Sequence, residues 1–301
     1  VLVEEVLEAL AVQPAGFYVD ATFGRGGHSA RILRQLGPQG RLLACDRDPE
    51  AIAAGRALFG AEPRLLLVHG EFSALAQHVH MVGEGRGCDG VLFDFGVSSP
   101  QLDDARRGFS FLHDGPLDMR MDPTRGQPVS AWLATASVAE MRDVIATLGE
   151  ERYARRIAEA IARARASQPL RRTGQLAELV ARAVSTREPG KHPATRTFQA
   201  LRMHVNDELG QIRAGLDQAL EVLAPGGRLA AISFHSLEDR LVKEFIRRHS
   251  QPDPALARLP VLPSQLVLPL RRLPKHKPGA AEIAANPRAR SAMLRTAEKR
   301  T

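Results

Sequence analysis

The chain has 301 residues, 44% of them hydrophobic, enough for one large domain or two ordinary ones with a sizeable core, which excludes disorder as the default. Its two cysteines, Cys45 and Cys88, sit in no CxxC or Cys/His cluster, and no run of 18 apolar residues occurs, which argues against a zinc site, a disulfide framework and a membrane span. The net charge of +7 is uneven: residues 1–100 carry 8 Lys+Arg against 12 Asp+Glu, residues 101–205 carry 17 against 12, and residues 206–301 carry 16 against 10, so the later parts are expected to meet a polyanion.

In chain order, residues 3–11 read as a short helix that ends before Pro14. A buried strand, Phe17–Thr22, breaks into Gly24-Arg25-Gly26-Gly27, and a helix follows from His28 to Leu36. Three glycines in four positions allow a sharp turn with no side chain over it, and the helix start offers free N–H donors to a ligand. The next strand, Arg41–Cys45, ends at Asp46, 22 residues after Gly24. That is close to the spacing at which a second-strand acid meets a ribose. The pattern is GxGG rather than GxGxxG, and a tight turn with a surface Asp also accounts for these residues taken alone.

Asp48-Pro49 is a helix start, with Asp as N-cap and Pro in the first position. A third strand, Arg64–Val68, leads to Phe72, and a fourth, Gly90–Phe93, ends at Asp94. Strands alternating with helices at this rhythm predict a parallel sheet with right-handed crossovers. Ligands of such sheets collect beyond the carboxyl ends of the strands. The glycine turn, Asp46, Phe72 and Asp94 all fall there, so four separated stretches point into one crevice.

The rhythm stops after Gln101. Residues 103–130 are irregular and charged, and their interleaved aromatics and methionines argue against disorder. Helices follow: Ser137-Val138-Ala139-Glu140 is a capping box, with Gly149 as a stop. Tyr153, Ile157, Ile161 and Ala164 form a helical stripe, and Thr173–Val184 is a further helix. Apolar residues from Phe198 to Leu223 recur at helical spacing, as one long helix or two in tandem. Leu223–Gly227 reads as a turn, Arg228–Phe234 as a fifth strand, and His235–Arg248 as a helix. Residues 252–278 hold seven prolines and read as a mobile or extended loop, and Arg290–Ala297 as a strand that closes the sheet.

A core of this kind takes a dinucleotide or S-adenosylmethionine. Asp94 at the fourth strand tip and the Leu-Ala-Pro-Gly-Gly turn favour methyl transfer. Whole stretches are more specific: Asp20–Ser29, Asp46–Pro49, Asp94–Asp104, Arg107–Phe111, Asp114–Pro123, Gly149–Glu151, His192–Gln199, Ser233–Arg240 and Asn286–Ser291. Running in order over nearly the full length, they resemble the RsmH/MraW family, bacterial 16S ribosomal RNA (cytosine-N4)-methyltransferases.

The resemblance implies an α/β fold: a Rossmann-like class I methyltransferase sheet domain, residues 1–102 plus 206–301, interrupted by a small helical, substrate-recognising domain, residues 103–205. It carries the cofactor contacts for S-adenosyl-L-methionine onto Gly26, Gly27, His28, Asp46, Phe72, Asp94 and Gln101. The glycine turn would face the methionine part, Asp46 the ribose and Phe72 the adenine. No metal is implied.

Chemically, the weak partner is the cytosine N4, whose lone pair is delocalised into the ring. The enzyme must align N4 with the methyl carbon and accept its N–H bonds, for which Asp94 is the catalytic candidate. The Asp/Asn-Pro-Pro-aromatic pattern of many amino-methyltransferases is absent, since Asp94 is followed by Phe95-Gly96-Val97. A flipped base could be lined by Phe109, Phe111, His113 and Met119, and RNA phosphates met by His192, Arg196 and Arg202. The expected partner is 16S ribosomal RNA within the small ribosomal subunit, near its decoding centre, with no membrane and room for a homo-oligomer. A non-catalytic RNA-binding or assembly factor with a cofactor pocket, and a nicotinamide oxidoreductase, are the competing readings. The start at Val1 has no Met and no basic leader, so residues before it are expected to be missing and the protein is expected to be cytoplasmic.

Overall fold

A computed structural model describes residues 1–83, 85–185, 190, 192–252 and 268–300. They form two compact units: Val1–Gly96 with the residues from Leu209 onward, and Val97–Glu208. The chain crosses between units at 96/97 and 208/209, where the sequence placed 102/103 and 205/206. The second shift has a visible cause. The apolar run from Phe198 breaks into two helices at Asn206-Asp207, and Asp207 adopts a left-handed φ of 46°.

The first unit opens with helix α1 (Val3–Leu10), followed by strand β1 (Phe17–Asp20), α2 (Gly27–Gln35), β2 (Arg41–Asp46) and α3 (Pro49–Phe59). Strand β3 (Leu65–His69), α4 (Leu75–Val82) and β4 (Cys88–Asp94) complete the front half. At the α3 N-terminus the Asp48 side chain accepts the Glu50 N–H at 3.0 Å, with Pro49 at the first position. The chain returns through α11 (Glu208–Val222), β5 (Leu223–Ser233), α12 (Ser236–Ser250), β6 (Leu270–Arg272), α13 (Ala280–Ala285) and β7 (Met293–Lys299).

The sheet order is β3-β2-β1-β4-β5-β7-β6. The first five strands are parallel, whereas β7 runs antiparallel to β5 and β6 antiparallel to β7. Every residue of β1 is buried, as expected of a central parallel strand covered on both faces. Alternate residues feed two cores: Phe17, Val19, Val91 and Phe93 on one face, and Tyr18, Leu42, Leu92 and Ile232 on the other.

Several expectations shift. Strand β5 begins at Leu223 rather than Arg228, because Leu223 pairs with Cys88 across a register irregularity before Gly90. The last strand, β7, starts at Met293, since Pro287–Ser291 forms a 3-10 turn, and it does not close the sheet, because β6 pairs on its outer side. Of the proline-rich stretch, residues 253–267 lie outside the described residues, while 270–272 form the short edge strand β6. Helix stop Gly149 is still helical, and Glu150 makes the left-handed exit with φ 48°.

The second unit holds α5 (Ser99–Asp103), α6 (Val129–Thr135), α7 (Val138–Gly149), α8 (Ala154–Ser167), α9 (Thr173–Ala183) and α10 (Thr195–Val205). Its core gathers Leu117, Met119, Leu133, Met141, Ile157, Ile161, Leu176 and Leu201. The irregular stretch before α6 is tied down by polar side chains. Asn206 accepts the Met121 N–H at 2.8 Å and donates to the Met119 carbonyl at 2.7 Å. The Arg107 guanidinium donates to the Met121 carbonyl at 2.8 Å. Among the described residues, no helix is long and apolar enough to cross a membrane.

Candidate functional site

Asp20 pairs in register with Ala44 on one side and Leu92 on the other, so the carboxyl ends of β1, β2 and β4 lie together. The glycine turn leaves β1 there. The Gly24 N–H donates to Asp46 Oδ2 at 2.7 Å, and the Asp48 N–H donates to Asp46 Oδ1 at 2.8 Å. Burial pushes the Asp46 carboxyl above the usual carboxylate range, and these two N–H donors work against that rise.

The two later glycines differ in kind. Gly26 caps α2 with a left-handed φ of 74°, and a Cβ there would lie 2.7 Å from the Phe59 ring and 2.8 Å from Phe23. Gly27 has nothing within 4 Å of the position a Cβ would take. The first glycine is therefore demanded by the fold, while the second leaves open space over the backbone.

Beside the turn stands Asp94, the last residue of β4. Its N–H donates to Thr22 Oγ1 at 2.6 Å. Its Oδ2 lies 3.7 Å from His28 Nδ1, and its Oδ1 is buried with no hydrogen-bond partner among the described residues. Burial raises the Asp94 pKa to about 7, and the nearby Glu238 carboxylate pushes in the same direction. The other His28 nitrogen, Nε2, lies 3.0 Å from the Val1 carbonyl, and burial lowers the pKa of this histidine. One layer down, Asp20 accepts from Ser29 Oγ at 2.7 Å and from the Thr22 N–H at 3.2 Å. Its own carboxyl is also raised by burial.

Phe72 follows β3 in a 3-10 turn and packs edge-on against Phe93, with ring centroids 5.5 Å apart, and tilted against Phe95 at 5.9 Å. Next to it, the Glu71 carboxylate is held by Arg47 at 3.1 Å and by Gln211 Nε2 at 3.0 Å. The structure thus brings together Gly26, Gly27, His28, Asp46 and Asp94 around the strand ends of one unit, with Phe72 at the end of the neighbouring strand.

Sequence reasoning gave no role to Thr22, Asp20 or Glu238. Asp20 is buried at the end of β1 and Thr22 half-buried just after it, where their polarity was the available signal. Glu238 is fully buried and accepts the Phe234 N–H at 2.8 Å. Its capping of α12 was signalled only by its place three residues after His235.

The remaining candidates belong to the second unit. The Gln101 side-chain carbonyl accepts the Ser98 N–H at 2.9 Å in a capping box at the start of α5. Phe109 and Met119 are buried in the core of the unit. Phe111 is partly buried against the His192 ring at 4.5 Å and the Phe198 ring at 4.8 Å. His113 and His192 are exposed. The Arg196 guanidinium donates to the Glu150 carbonyl at 2.5 Å. The Arg202 guanidinium donates to the Glu208 carboxylate through two bonds of 2.7 Å.

A sequence profile described as the MraW methylase family matches residues 1–300. A curated relative from Aromatoleum aromaticum, named ribosomal RNA small subunit methyltransferase H, is 56% identical over 99% of this chain and 96% of its own length. Among solved structures, an rRNA methylase from Streptococcus thermophilus superposes with a TM-score of 0.45 at 12% identity, covering 99% of this chain and 95% of its own. The N-methyltransferase NodS from Bradyrhizobium japonicum gives 0.41 at 9% identity, covering 99% and 94%.

Proposed function

Because the chain belongs to the MraW methylase family, we propose that it transfers a methyl group from S-adenosylmethionine to the exocyclic N4 of a cytosine in 16S ribosomal RNA near the decoding centre. Its 56% identical relative is named a ribosomal RNA small subunit methyltransferase. The observation that carries the reading of the site is the buried, unpartnered Asp94 Oδ1 beside a glycine turn with open space over Gly27. An anionic acceptor at a bare backbone suits a ligand with a cationic centre and an amine to be methylated.

The residues present fit the cofactor. Gly27 would give the methionine end room to approach the main chain, on the turn that the left-handed Gly26 makes possible. Asp46, already oriented by two backbone N–H groups, would accept from the ribose hydroxyls. Phe72 would pack on the adenine, held by Phe93 and Phe95. His28 would line the site beside one oxygen of Asp94, and the other oxygen would be open to the substrate. Gln101 keeps its assignment from the family resemblance alone.

When bound, the sulfonium supplies a methyl group that is already activated. The reaction forms the N4–CH3 bond as the S–CH3 bond breaks, and N4 gives up one proton. Asp94 accepts an N4–H hydrogen bond, which favours a pyramidal amine with its lone pair aimed at the methyl carbon. As positive charge develops on N4, the carboxylate stabilises it in a water-poor setting. With a pKa of about 7, the same group can take the departing proton. The helical unit, Val97–Glu208, is assigned to substrate recognition, with Phe111, His192 and Arg196 as its candidate RNA contacts.

A methyl-transfer assay on undermethylated small subunits and on naked 16S RNA, with mass mapping of the product, tests this reading. The expected product carries one added methyl on a cytosine N4. Cofactor and RNA binding without transfer would overturn it in favour of an assembly factor.

A further inference from the structure

Away from the strand ends, the first unit carries a second concave feature. A cavity of about 140 Å3 lies between the later turns of α12, strand β6 with the segment after it, and β7. Its floor is apolar, made by Ile246 and Leu273, and its walls carry Lys243, Arg247, Arg272 and Lys275. All four cations are exposed, and none forms an ion pair with a described residue.

Two acids beside the groove are already matched. Asp239 holds Arg295 at 2.6 and 2.9 Å, and Glu298 holds Arg271 at 2.8 Å. Four positive charges without an ion-pair partner among the described residues therefore face one groove, a field that favours an anion there.

The arrangement is linear rather than focal. Lys243 and Arg247 lie four residues apart on α12, a step of about 6 Å along the helix, and Gln251 follows at its extended C-cap. Arg272 and Lys275 make the opposite row. Two parallel rows of cations with an amide donor at one end match successive phosphates of a strand better than a single small anion. Arginine in each row suits bidentate phosphate contact.

The groove is also separate from the methyl-transfer site. Asp94 pairs with Ile232 and Ile232 with Leu294, whereas Arg272 pairs with Ala297, three residues farther along β7 and three strands away from β4. With ordinary strand spacings, that is roughly 15–20 Å.

We infer that the groove between α12 and β6 is a docking site for the phosphate backbone of the RNA substrate, holding nucleotides remote from the methylated base. It rests on the reading that the substrate is RNA. Contacts of this kind fix register without reading sequence.

The test compares equilibrium binding of naked 16S RNA and methylation kinetics for Arg247→Gln/Arg272→Gln with those of Arg34→Gln/Arg56→Gln. The second variant makes the same charge change on exposed residues of α2 and α3. The groove variant is expected to weaken RNA binding about tenfold or more and to make the slope of log K against log salt shallower by about 1.5. Its RNA KM rises in parallel, while its affinity for S-adenosylmethionine and its thermal midpoint stay those of the parent protein.

Unchanged RNA affinity and salt slope, or an equal loss in the control variant, would overturn the assignment. So would lost binding to assembled subunits with naked RNA binding unchanged, which points to a protein partner. If no cytosine is methylated by the parent protein, yet the groove variant alone loses RNA binding, the methylation reading falls and the groove stands.

Discussion

His28 Nδ1 lies 3.7 Å from one oxygen of Asp94, while the other oxygen of the same carboxylate is buried without a hydrogen-bond partner among the described residues. The imidazole thus stands beside one edge of the acid, beyond hydrogen-bond distance, and the other edge meets no donor among the described residues. A buried carboxylate in that state is costly unless function requires it.

The first prediction follows from that edge. Asp94→Asn keeps the shape and removes the charge that would stabilise N4 in the transition state. The single-turnover methylation rate at saturating cofactor should fall by about 100-fold or more. A rate within threefold of the parent would remove Asp94 from the reaction.

The second concerns pH and folding in the absence of cofactor. The folded Asp94 pKa is raised from 3.8 to about 7. Its contribution to stability is thus fully present below the unfolded value and is lost as pH rises through about 7. The loss is on the order of a few kcal/mol. His28 acts with the opposite sign, because its pKa is lowered and its contribution is lost as pH falls. Comparing the parent with Asp94→Asn isolates the acid. The parent's denaturation midpoint should decline from pH 5 to pH 8 more steeply than that of the variant, and parallel curves would contradict the assignment.

The third separates two neighbouring glycines. Gly26→Ala places a Cβ 2.7 Å from Phe59 at a φ of 74°, and should cost about 1–3 kcal/mol of stability in denaturant unfolding. Gly27→Ala meets nothing within 4 Å. It should leave stability unchanged and raise the cofactor Kd about tenfold, measured by calorimetry. Equal effects of the two substitutions on stability would show that the open space is illusory.

These sites were unequally legible. The strand ends could be read because β1, β2 and β4 are short buried runs, each ending in an acid, and that period survives without tertiary information. The roles of Phe109 and Met119 could not, because residues in an irregular stretch share no period with the helices they pack against. Strand β6 is three residues long inside a proline-rich run, and pairing with β7 alone makes it a strand. The break between α10 and α11 was left open by the apolar spacing, since heptad-like residues continue across Asn206 while the backbone does not.

Arg202 supplies the last prediction. Its partner Glu208 is six residues away, a spacing that brings no pair together on a continuous helix, so only the turn at Asn206-Asp207 creates the bridge. Both side chains are largely buried, at 15% and 6% exposure. Removing the arginine strands a buried carboxylate, which costs about 3 kcal/mol. Arg202→Ala should therefore lower the unfolding midpoint of the helical unit while leaving the salt dependence of RNA binding unchanged. Arg196→Ala should do the reverse, with stability close to the parent and a salt slope reduced by about 0.7–0.9. Denaturant unfolding paired with binding titrations at several salt concentrations distinguishes the two, and a salt slope altered by Arg202→Ala at full stability would restore it to the phosphate contacts.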